Sequence, residues 1–82
     1  MKYEMEIKDD AKVALKEEPE EVRRQIGYRL HLLQQDFSGD VKKLAGSRNE
    51  YRLRVGHYRV LFELVGKRIV VYTLGKRKDI YR

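Results

Sequence analysis

The chain has 82 residues, 41% hydrophobic and 39% charged, with no cysteine. That supplies one core under a heavily charged surface, argues against wholesale disorder, and excludes disulfides and thiolate metal sites. No apolar run approaches the ~20 residues of a membrane span and no signal-peptide core opens the chain, so a soluble cytoplasmic protein of one domain, residues 1–82, is expected. The net charge of +6 is unevenly distributed: residues 1–40 sum to −3 and residues 41–82 to +9. A basic half on a mildly acidic half points to a surface that meets phosphate.

In chain order, Tyr3, Met5 and Ile7 alternate with Glu4 and Glu6, which predicts a first strand over 3–7. Asp9-Asp10 offers an N-cap for a short helix through Glu17, with Ala11, Ala14 and Leu15 inward. Pro19 suits the first turn of a second helix, and Glu20 and Glu21 stand at its positive end. Val22, Ile26, Leu30, Leu33 and Phe37 form its apolar stripe, and Ser38-Gly39-Asp40 ends it. The segment from Val41 to Arg48 reads as a polar connection. Strands are expected over about 50–55, 58–65 and 68–74, with a second tight turn at Gly66-Lys67.

The run from Tyr51 to Val60 alternates apolar and cationic residues around Gly56-His57, the pattern of a hairpin with a type II′ turn. In that register Arg54 faces Arg59 and Arg52 faces Leu61. Tyr51, Leu53, Val55, Tyr58 and Val60 then share one face, and Arg52, Arg54 and Arg59 the other. Continuing the pairing sets Leu74 opposite Arg59. It also places Leu61, Glu63, Val65, Arg68, Val70, Tyr72 and Leu74 on the arginine face, which becomes basic at one end and apolar at the other. The expected fold class is α+β: a small, mainly antiparallel sheet with two N-terminal helices packed on one face. The closing segment begins at the basic end, so Arg77 and Tyr81 can reach Arg52, Arg54 and Arg59. Two bland readings compete: Arg52 and Arg68 flanking Glu63 in surface ion pairs, and Tyr72 as a partly buried sheet tyrosine rather than a base-stacking one.

The layout strand–helix–helix–three strands resembles the RelE/ParE superfamily of small bacterial and archaeal toxins. So do the segments Gly39–Arg48, Tyr51–Val60 and Arg77–Arg82. The resemblance to RelE-type members implies a toxin that enters the ribosome and cuts mRNA, held in check by a cognate antitoxin. It also implies operator DNA as a target of the toxin–antitoxin complex, and no membrane partner. The implied chemistry is attack of an RNA 2′-hydroxyl on the adjacent phosphodiester, with no cofactor and no metal. The matched positions are Arg52, Arg54, Arg59, Arg77 and Tyr81. Arg59 and Arg77 would hold the scissile phosphate, since a guanidinium fork matches paired phosphate oxygens, and Arg52 and Arg54 would orient the backbone. An arginine cannot serve as base, so Tyr81, whose phenolate nearby cations favour, and His57 in the turn compete for proton transfer. Lys76, Lys78 and Arg82 are the expected further RNA-binding cations. Where relatives carry lysine at the first two arginine positions, an acidic residue at position 57 and histidine at position 76, this chain has Arg52, Arg54, His57 and Lys76. His31 reads as structural or surface. The alternative is a ParE-like inhibitor of DNA gyrase that cuts no RNA. A third reading is an inactive co-repressor.

Overall fold

Residues 2–76 are described by a computed structural model of the protein. The alternation near the start of the chain forms β1 (Glu4–Ile7), followed by α1 (Asp9–Lys16) and α2 (Glu20–Asp36). Lys8, not an aspartate, is the N-cap of α1 and makes no side-chain cap. Asp9 and Asp10 lie in the first turn, where their charges meet the helix's positive end. Pro19 caps α2 from just outside it. The stripe of α2 buries Ile26, Leu30 and Leu33, while Phe37 leaves the helix as a left-handed C-cap at φ 61°.

The segment read as a polar connection contains a strand, β2 (Asp40–Lys43), which pairs antiparallel with β3 (Glu50–Val55). Its alternation is only four residues long, with Val41 the one apolar residue on the core side. β4 (Tyr58–Val65) and β5 (Arg68–Lys76) complete a sheet of order β1-β5-β4-β3-β2, antiparallel except where β1 runs parallel to β5. Both helices contribute to the core on one side: Ala11 from α1 and Ile26, Leu30 and Leu33 from α2 meet Leu53, Val55, Val60, Phe62, Ile69, Val71 and Leu74. Phe62 is fully buried, stacked on Tyr51 at 5.5 Å and edge-on to Phe37 at 5.8 Å. This is the expected α+β architecture with one strand more. Among the described residues no helix is long and apolar enough to cross a membrane.

The hairpin register matches expectation through all four pairs from Val55–Tyr58 to Arg52–Leu61. Gly56 stands at φ 59° and His57 at negative φ, as a type II′ turn requires. The β4–β5 register does not run through. A bulge at Tyr72 sets Leu61 opposite Thr73 and Val60 opposite Leu74, so Gly75 rather than Leu74 faces Arg59. Leu74 thereby turns into the core, corrected from the arginine face. Nor is the far end of that face an open apolar patch. Leu61 and Val70 are only 8% and 6% exposed, and Val65 alone stands out, at 53%. Long neighbouring side chains border them: Arg52 opposite Leu61, Glu63 opposite Val70.

Candidate nucleic-acid interface

The II′ turn and the period-2 alternation place Arg52 and Arg54 of β3 and Arg59 of β4 together on the helix-free face. Pairing of β2 with β3 adds Lys42, directly opposite Arg52, and Asp40, directly opposite Arg54. Four cations and one carboxylate are therefore drawn from three adjacent strands at the hairpin end of the sheet. Lys42 was hidden in the sequence because β2 reads as a loop. The signal was Val41 between Asp40 and Lys42, one apolar residue in phase with Leu53.

The arginines differ in setting. Arg54 is exposed, whereas Arg59 is only 5% exposed despite lying on the face that carries no helix. Arg54 flanks it on one side and Gly75, which has no side chain, on the other. One Arg59 Nη1 contact is with the carbonyl of Tyr58 at 3.5 Å. Arg52 is held by Asp40: its Nη1 donates to the Asp40 carbonyl at 3.2 Å and lies 3.4 Å from the carboxylate. A buried guanidinium beside an exposed one provides an enclosed positive point and a solvent-facing one, which suits gripping one phosphate while its neighbour settles.

The remaining candidates fall around this group. His57 is exposed in the turn itself. Lys76 ends β5 opposite Tyr58, so it occupies the same end of the sheet but the helix-bearing side. Arg77, Lys78, Tyr81 and Arg82 lie outside the described residues. His31 is exposed on α2. Glu63 is not the partner of Arg52 or Arg68: Arg68 reaches Glu4 at 3.6 Å and Glu6 at 3.7 Å across the parallel β1–β5 pair. Tyr72 donates to Glu50 at 2.6 Å, on the same face but toward its acidic end. On the opposite side of the sheet, the Tyr58 hydroxyl donates to Glu18 at 2.8 Å and ties the hairpin to the turn between the helices. Among the described residues no group of His, Asp and Glu is arranged to hold a metal ion.

No protein-family model matches the chain. Toxin RelE3 of Methanocaldococcus jannaschii is 44% identical over 46 residues, 56% of this chain. That match spans about half, 52%, of the relative's length. Among solved structures, the RelB–RelE antitoxin–toxin complex of Methanococcus jannaschii holds a chain of the same fold, with a TM-score of 0.80 and 31% identity over 93% of this chain and 94% of that one. The archaeal RelE–RelB complex of Pyrococcus horikoshii OT3 gives a TM-score of 0.77 and 28% identity, covering 94% and 97%. Identity of this order across nearly the whole of both chains, on one topology, is more than shared architecture: the chain belongs to the RelE toxin superfamily.

Proposed function

We propose that the protein is the toxin of a type II toxin–antitoxin pair and that it acts as a ribosome-dependent endoribonuclease. The observation that carries this reading is the cation group on the helix-free face, where Arg59 lies buried opposite Arg54 and Arg52 is paired with Lys42. Arg54 and Arg59 face each other in a relation that disfavours the folded sheet, and an RNA phosphate between them turns the repulsion into attraction.

In the proposed reaction the 2′-oxygen of one nucleotide bonds to the adjacent phosphorus while the bond from phosphorus to the 5′-oxygen breaks. A base takes the 2′-proton and an acid supplies one to the leaving oxygen, giving a cyclic phosphate and a 5′-hydroxyl. Charge builds on the phosphorane oxygens, where pre-set guanidinium donors stabilise it more than water does. The burial of Arg59 supports that role for it, with Arg77 as its proposed companion. Arg52, Arg54 and Lys42 orient the strand. Tyr81 and His57 stand as the proton-transfer candidates. Lys76, Lys78 and Arg82 extend the grip on RNA. The proposed partner is a cognate antitoxin, of the kind present in the complexes of similar fold, and by charge complementarity it would cover these cations with acidic residues.

The test adds purified protein to 70S ribosomes carrying a defined mRNA and maps cuts by primer extension, with free mRNA alongside. Cuts are expected only with ribosomes. Arg77→Ala and Tyr81→Phe should each slow cleavage by roughly 10²–10³-fold with the fold intact. A well-folded protein that arrests growth yet makes no cuts overturns the nuclease reading, and gyrase supercoiling then becomes the assay.

A further inference from the structure

Asp40 is an acidic side chain set among cations, and the fold puts it there deliberately tightly. Gly39 turns at φ 128° against Leu53, and the next residue starts β2 directly opposite Arg54. Two Asp40 oxygens, the carbonyl at 3.2 Å and the carboxylate at 3.4 Å, converge on the same Arg52 nitrogen. The Arg52 side chain is 17% exposed, whereas the Asp40 side chain is largely open to solvent.

A carboxylate and a phosphodiester are alike to a guanidinium: each offers paired anionic oxygens. We infer that the Asp40 carboxylate is an internal stand-in for phosphate, holding Arg52 in the RNA-free protein and competing with RNA for it. Asp40 thus sets how readily RNA recruits Arg52. An RNA strand gains Arg52 only by displacing the carboxylate, so RNA held poorly by Arg54 and Arg59 is not strengthened by a third contact. Pairs this close to the surface are weak enough to exchange. The inference rests on the RNA-cleavage reading above.

The test is a binding cycle with a fluorescent single-stranded RNA of ten nucleotides, away from ribosomes. Asp40→Asn keeps the size and an acceptor oxygen but removes the charge. It should tighten binding roughly two- to fivefold, the range of an exposed ion pair. It should also steepen the log–log salt dependence by about 0.7, one added phosphate contact. In an Arg52→Gln background the same substitution should change Kd by less than roughly 1.5-fold, because the gain runs through Arg52. Equal tightening in both backgrounds reduces Asp40 to a general field effect and overturns the inference. So does weaker binding by Asp40→Asn, which makes Asp40 a support for Arg52 rather than its competitor. Either outcome leaves the cleavage reading standing. Failure of the unsubstituted protein to bind RNA at low salt overturns the inference alone, since the cleavage reading is tested on ribosomes. Thermal melts of each variant check the fold.

Discussion

Arg54 and Arg59 stand opposite each other on β3 and β4, and like charges in that relation cost roughly 0.2–1 kcal/mol. Replacing the exposed member with a strand-forming neutral residue should therefore stabilise the protein. Arg54→Thr is expected to raise the unfolding free energy by that amount, read as a higher urea midpoint with m unchanged, while weakening RNA binding and cleavage at least tenfold. A fall in both would show that Arg54 contributes more to packing than its exposure indicates. Gly39 is the opposite case. Its φ of 128° and the 2.8 Å approach of a hypothetical Cβ to Leu53 leave no room for a side chain. Gly39→Ala should cost about 1–3 kcal/mol in chemical denaturation. At this scale the alternation from Tyr51 to Val60 made the face of every arginine legible. It could not reveal that Arg59 is buried, because burial depends on what the next strand sets beside it.

Two elements departed from the linear reading, and both changed the site. β2 has a single inward apolar residue, too short a pattern to distinguish from a loop, and yet it carries Lys42 beside Arg52. Lys42→Gln should lower the slope of RNA affinity against salt by about 0.7 if that lysine meets a phosphate; an unchanged slope would remove it from the interface. The bulge at Tyr72 shifts the end of β5 by one residue, moving Leu74 inward and Gly75 beside Arg59. Local sequence does not announce a bulge, since Val-Tyr-Thr-Leu satisfies a regular strand equally well. Burial of Leu74 and space for the Arg59 side chain together favour the shifted pairing. The hydrogen bond from Tyr58 to Glu18 joins the hairpin to the turn between helices across 40 residues of sequence. Tyr58→Phe should lower stability by about 0.5–1.5 kcal/mol and speed amide exchange in that turn.

Across the molecule, charge and core occupy opposite sides of one sheet. The helix-bearing side is apolar around Phe62, Tyr51 and Phe37. The other side runs from cations at the hairpin end to Glu4, Glu6, Glu50 and Glu63 toward the other end, with Arg68 among them. On the proposed reading, a nucleic-acid strand would be attracted to one end and repelled from the other, which would confine it to β2, β3 and the start of β4. The core behind this surface is small. Phe62→Ala should cost about 3–5 kcal/mol, a large share of the ~5–15 kcal/mol typical of a domain. The melting temperature is expected to fall by at least about 12 °C.

Residue pattern alone established the two helices, the hairpin register, the faces of Arg52, Arg54 and Arg59 and the side on which the core forms, because side-chain periodicity is a local property of the backbone. It also carried the resemblance to RelE-type toxins. Tertiary structure decided the strand at Asp40–Lys43, the bulge, the burial of Arg59 and the partners of Arg52, Arg68 and Tyr72. Each of these depends on which strand lies alongside, and strand adjacency is settled by the packing of the whole sheet, which no short window of residues contains.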